Sequence, residues 1–108
     1  MRTRLCHRDE IPEQGSKGFT LGGENVFAVK MRGNIFVYQN SCPHIGIALD
    51  WAENQFLDSS RTLIQCANHG ALFLIDSGKC VSGPCSGQTL TAVPFEFVDG
   101  YVELITSE

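Results

Sequence analysis

The chain has 108 residues, 43% of them hydrophobic, with eight Lys+Arg against twelve Asp+Glu and a formal charge of −4. That is the size and apolar share of one compact domain, which disfavours disorder and leaves little room for two domains. No apolar run reaches the ~20 residues of a membrane helix, the basic start Met1-Arg2-Thr3-Arg4 leads into no apolar signal segment, and the acidic balance argues against nucleic-acid binding. The expectation is a small cytoplasmic domain with no membrane or nucleic-acid partner, whose charge suits a basic protein partner.

In chain order, Cys6-His7 comes first. The two are adjacent, so on a strand they point to opposite faces; Cys6 reads as a small buried hydrophobe and His7 as a surface residue. Val26-Phe27-Ala28-Val29-Lys30-Met31 and Ile35-Phe36-Val37-Tyr38 flank Arg32-Gly33-Asn34, which predicts a hairpin with a short loop. Ala48 to Leu57 is the best helical window, but ten residues with Trp51 and Phe56 fit one irregular turn better. Thr62-Leu63-Ile64-Gln65 and Ala71-Leu72-Phe73-Leu74-Ile75 read as strands, the second ending in the turn Asp76-Ser77-Gly78-Lys79. Phe95-Glu96-Phe97-Val98 and Tyr101-Val102-Glu103-Leu104-Ile105 flank Asp99-Gly100, the preferred two-residue hairpin turn. Short strands broken by Gly and Pro predict an all-β fold, a small antiparallel barrel or sandwich.

Chemistry concentrates between the strands. The chain holds five cysteines and three histidines. An odd cysteine count with no export signal disfavours a disulfide scaffold and favours metal or redox chemistry. Cys42-Pro43-His44 and Cys66-Ala67-Asn68-His69 follow strand ends and are separated by 21 residues. Two thiolates and two imidazoles suit a closed zinc site or a [2Fe–2S] cluster with two histidines on one iron. Zinc fingers usually pair Cys with Cys and His with His. Here each loop supplies one of each, an arrangement that favours the two-iron cluster.

Cys42-Pro43-His44-Ile45-Gly46, Cys66-Ala67-Asn68-His69-Gly70-Ala71-Leu72-Phe73, Asp76-Ser77-Gly78 and Gly83-Pro84 together resemble the Rieske iron–sulfur family. The resemblance runs from about Asn40 to the end of the chain, and the strands from Phe19 to Tyr38 fit the same barrel. It implies a single domain over 1–108, with cluster-binding loops near 40–47 and 65–73 and a covering loop near 82–85. It also implies one [2Fe–2S] cluster per chain, held by Cys42, His44, Cys66 and His69. Gly46 and Gly70 let the backbone turn beside the ligands, and amides there can donate to sulfide. High-potential relatives carry a disulfide where this chain has Ile47 and Asn68, and hydroxyls where it has Ala71 and Phe73. These departures imply a low-potential, ferredoxin-like member. The interval after His44 is longer than usual, with Trp51 and Phe56 as expected packing anchors, and Cys80 and Cys85 are expected to be reduced packing thiols.

The resemblance implies an electron-transfer protein rather than an enzyme. It would carry one electron from a flavoprotein reductase to a terminal oxygenase, leaving through the edges of His44 or His69, whose rings can lose protons at alkaline pH. Ala67 and Asn68, beside the second histidine, are candidate contacts for a partner. With no Gly-x-Gly-x-x-Gly, the chain itself is expected to bind neither NAD nor flavin, and no second domain for a mononuclear iron is expected. Two alternatives stand beside this reading. One is a Rieske-type small subunit of a larger oxidoreductase of the nitrite-reductase kind; the other is a zinc-stabilised interaction module.

Overall fold

The computed structural model describes residues 2–21, 24–40, 56–66, 71–83 and 87–105. Among the described residues, nine strands form three antiparallel sheets of three. The strands are β1 (Arg2–His7), β2 (Gly15–Leu21), β3 (Glu24–Met31), β4 (Asn34–Gln39), β5 (Leu63–Gln65), β6 (Leu72–Leu74), β7 (Cys80–Ser82), β8 (Phe95–Val98) and β9 (Tyr101–Ile105). The sheet orders are β1-β9-β8, β2-β3-β4 and β5-β6-β7. The all-β architecture agrees with the strand-and-turn pattern of the sequence.

The middle sheet is a wall between two cores, and alternation along its strands builds both. Val26 and Ala28 of β3, with Ile35 and Val37 of β4, pack against Cys6, Val102 and Leu104 of the first sheet. Phe27 and Val29, with Tyr38, face the other way onto Ile64, Phe73 and Cys80 of the third sheet. Successive side chains of a strand point to opposite faces, so a strand that divides two cores must be apolar throughout. Residues 26–29 are buried without interruption for that reason.

Two tight turns set the register. Arg32-Gly33 and Asp99-Gly100 each have positive φ at both positions, 54° and 77° in the first and 53° and 84° in the second. This is the backbone twist a two-residue antiparallel hairpin requires. The first loop is one residue shorter than expected, since Asn34 already pairs with Met31.

An extended segment, 88–93, ties the middle and third sheets together. The Cys80 and Leu90 amides donate to the Gln88 and Gly78 carbonyls at 2.8 and 2.9 Å. Further along, Gln39 donates to Thr91 and Val93 to Val37, both at 2.9 Å. Tyr38 adds a side-chain tie: its buried hydroxyl donates to the Ile75 carbonyl at 2.6 Å.

Cys6 is buried as expected, and burial, helped by Glu10, pushes its thiol pKa up. His7 corrects its reading as a plain surface residue. Its side chain is 31% exposed. Its Nδ1 accepts the Asp9 amide at 3.1 Å, while Glu10 accepts the His7 amide at 3.0 Å. Together they close a 3-10 turn, Arg8–Glu10.

Burial, reinforced by the Asp76 charge, pushes the Tyr38 phenol from 10.0 to about 12. A neutral phenol favoured by the fold contributes stability that is complete below pH 10 and is lost as pH rises through about 12. Tyr38→Phe should lower unfolding free energy at neutral pH by about 1–2 kcal/mol, because the Ile75 carbonyl loses its donor. The same change should remove part of the alkaline loss. Urea titrations at pH 7 and pH 11 check both.

Candidate metal centre

Of the four expected ligands, Cys66 lies within the described residues; Cys42, His44 and His69 lie outside them. Consequently no three His, Cys, Asp or Glu side chains that could hold a metal converge among the described residues. What the structure fixes is where both ligand segments begin and end.

The second segment is closed by its own backbone. The Cys66 amide donates to the Ala71 carbonyl at 2.8 Å, continuing the β5–β6 ladder by one step. Cys66 and Ala71, the described residues on either side of 67–70, are thereby held together. The first segment leaves the wall at Asn40, whose amide donates to the Asn25 carbonyl at 2.8 Å. It returns at Phe56, whose carbonyl accepts the amide of Gln65 at 2.9 Å, one residue before Cys66. Thus the return of the first segment is stitched to the base of the second.

Phe56 is held firmly there. It is 1% exposed and stacks on Phe27 with ring centroids 4.4 Å apart and planes 4° from parallel. This agrees with the packing role expected of it; Trp51 lies outside the described residues. The turn that follows is closed by Asp58, whose Oδ1 accepts the Thr62 and Leu63 amides at 3.1 and 3.2 Å. Burial raises the Asp58 pKa, but bonds from the Ser60 hydroxyl and from the Leu63, Thr62 and Arg61 amides outweigh it and hold the carboxyl below its ordinary value.

Cys66 is 0% exposed, in the same core as Phe27, Tyr38, Phe56, Ala71, Phe73 and Cys80. Ala71 and Phe73 are also 0% exposed and bring no hydroxyl to it. Among the described residues of this core, the one hydroxyl belongs to Tyr38 and donates to Ile75. Cys80 is buried, and its Sγ donates to the Ser82 carbonyl at 3.2 Å. Cys85, Gly46, Gly70, Ile47, Ala67 and Asn68 lie outside the described residues.

This environment fits a histidine-ligated cluster. Burying net charge among apolar side chains is costly. An oxidised two-iron, two-sulfide core carries two positive charges, which two thiolates cancel and neutral imidazoles leave cancelled. A four-thiolate cluster would bring two negative charges to the same apolar walls.

The chain matches the Rieske [2Fe–2S] domain over residues 1–101. It belongs to the Rieske family. The cofactor that family membership implies is a [2Fe–2S] cluster. Solved structures agree on the fold. The ferredoxin of carbazole 1,9a-dioxygenase from Nocardioides aromaticivorans IC177 is 18% identical with TM-score 0.78, each chain covering 99% of the other. The terminal oxygenase of carbazole 1,9a-dioxygenase from Novosphingobium sp. KA1 is 24% identical with TM-score 0.80, matched over 99% of this Rieske chain and 30% of the oxygenase. A chain in the complex of reduced oxygenase and oxidized ferredoxin of carbazole 1,9a-dioxygenase is 19% identical with TM-score 0.76, over 95% of this chain and 91% of that one. Among the described residues, no helix is long and apolar enough to cross a membrane.

The sequence patterns give no sign of the Phe27–Phe56 stack or of the 88–93 segment. Thr89 and Thr91 are β-branched, but Thr89-Leu90-Thr91 is too short to announce a strand alone. Because Phe56 joins the wall to the end of β5 just before Cys66, Phe56→Ala should lower unfolding free energy by about 3–5 kcal/mol through the cavity it leaves. Urea denaturation of the cluster-loaded protein, followed by far-ultraviolet circular dichroism, measures that loss.

Proposed function

We propose that this Rieske protein is a one-electron carrier, accepting an electron from a flavoprotein reductase and passing it to a terminal oxygenase in the cytoplasm. In this reading residues 1–108 act as a single domain. Cys42 and Cys66 hold one iron, and His44 and His69 the other. The observation that supports the ligand assignment is the position of Cys66: a fully buried thiol whose amide is bonded to Ala71, one residue after Gln65, which is bonded to Phe56.

Bound there, the cluster supplies a reversible one-electron change without atom transfer. The protein's part is to exclude water, limit hydrogen bonds to sulfur and present one edge to a partner. Ala71 and Phe73 line the Cys66 core without donating a hydroxyl, and fewer donors leave added electron density less stabilised. A net charge of −4 favours brief docking on a basic surface. Support for an oxygenase as acceptor comes from the likeness to the carbazole 1,9a-dioxygenase ferredoxin, matched over 99% of both chains.

Two measurements test the proposal. A redox titration should give a midpoint near the lower end of the Rieske range, roughly −150 mV; a value above zero contradicts the low-potential reading. In rapid mixing, a reduced flavoprotein reductase should bleach the protein, and an oxidised Rieske-type terminal oxygenase should restore its colour. Cys66→Ser should abolish both steps by removing a ligand. Reduction without reoxidation by any such oxygenase, together with tight co-purification with a large subunit, would overturn the carrier role.

A further inference from the structure

We propose that the outer face of sheet β5-β6-β7 is the apolar contact on which the terminal oxygenase docks. The inference rests on the carrier role proposed above and adds to it the surface that meets the acceptor.

Alternation along these strands divides their side chains between core and solvent. Ile64, Phe73 and Cys80 point into the second core. Leu63 and Gln65 of β5, Leu72 and Leu74 of β6, and Val81 and Ser82 of β7 are left on the outside, half-buried or exposed. Leu63 pairs directly with Leu74, and Leu72 lies between Gln65 and Ser82. The ladder to β7 shifts between Leu72 and Phe73, and the bulge turns Val81 outward. Val81 is 48% exposed and Leu74 36%. Four of these six side chains are aliphatic and none is ionisable.

The outer face of β1-β9-β8 has the opposite composition. There Arg4 pairs with Glu103 at 3.1 Å, Glu96 lies across from Glu103, and His7 meets Tyr101 edge-on. That is the polar face a solvated antiparallel sheet usually shows. Sheet β5-β6-β7 departs from it on the strands nearest Cys66. Its Gln65–Leu72 pair is one step from the bond between the Cys66 amide and Ala71.

Size and charge select the occupant. Three strands of three residues present roughly 150 Å², at about 4.8 Å between strands and about 3.3 Å per residue. A stable second copy would need about 800 Å² on each partner. The face therefore suits the apolar centre of a brief redox contact, not a lasting dimer. Asp58, Arg61, Asp76 and Lys79 border the end away from Cys66, two of each sign. Their charges offset, so the surface that fits here is an uncharged apolar patch. The charge of −4 on the whole chain draws a basic partner close, and this contact holds it.

The test uses cluster-loaded protein and a Rieske-type terminal oxygenase that reoxidises the reduced, unaltered chain in rapid mixing. Leu74→Lys and Val81→Lys place a charge on the face. Ile105→Lys adds the same charge on β9, at a residue 38% exposed. Reoxidation is followed against oxygenase concentration. Each face variant should raise the half-saturating concentration about tenfold. The rate at saturation, the midpoint potential and reduction by the flavoprotein reductase should not change. Ile105→Lys should stay within about twofold of the unaltered chain throughout.

Equal weakening by all three lysines would reduce the effect to net charge and overturn the face. A face variant series that matches the unaltered chain overturns it too. Weakening confined to the reductase step would overturn the oxygenase as occupant, and a dimer made monomeric by Leu74→Lys would put a second copy there instead. Should the lysine variants fail to accumulate, Leu74→Thr and Val81→Thr decide by the same titration: a higher half-saturation supports the contact, an unchanged one overturns it. If no such oxygenase reoxidises the unaltered chain, the carrier reading fails, a result distinct from variants that match a reactive parent.

Discussion

The structure depends on one constraint: the middle sheet must bury both of its faces. Along β3 and β4 every second residue serves a different core, Val26, Ala28, Ile35 and Val37 on one side and Phe27, Val29 and Tyr38 on the other. A one-residue slip in this register would exchange the two sets and misfill both cores. The Arg32-Gly33 turn, with positive φ at both positions, prevents that slip. Sheet β1-β9-β8 closes the first core, and the second is left for the elements around Cys66, the proposed ligand.

The site inherits its order from that wall. Phe27 stacks on Phe56, Tyr38 reaches Ile75, and the 88–93 segment bonds to both the wall and the third sheet. These ties let β5, β6 and β7 be only three residues each and still hold Cys66 in place. Strands so short would be marginal alone. The apolar surroundings of Cys66 also set the electrostatic terms. With Cys66 as the proposed ligand, a neutral oxidised cluster would enter them at low cost, and Ala71 and Phe73 would offer it no hydroxyl.

Much of this was legible from the residues because the relevant signals are local. Asp99-Gly100 announces its hairpin, and the donor types and spacing of the paired Cys/His segments point to a metal site. Three strands were not legible. β1 and β2 are outer strands of their sheets, and Gly15-Ser16-Lys17-Gly18 has neither the alternation nor the propensity of a strand; the β3 ladder imposes its conformation. β7 is too short to show a pattern. Gly83 is legible only through the resemblance, as part of an expected covering loop; its close approach to Ala71 is a property of tertiary packing that no local pattern shows. His7, adjacent to Cys6, invites a metal reading or a solvent reading, and it is instead the cap of a short turn.

The central claim is that two cysteines and two histidines of this Rieske chain, Cys66 among them, share one two-iron cluster. Pulsed EPR of dithionite-reduced protein grown with 15N-labelled histidine tests it most directly. The account predicts a rhombic signal with average g below 2 and couplings to two labelled nitrogens. A reduced cluster without histidine coupling, or a colourless protein holding stoichiometric zinc, would contradict it.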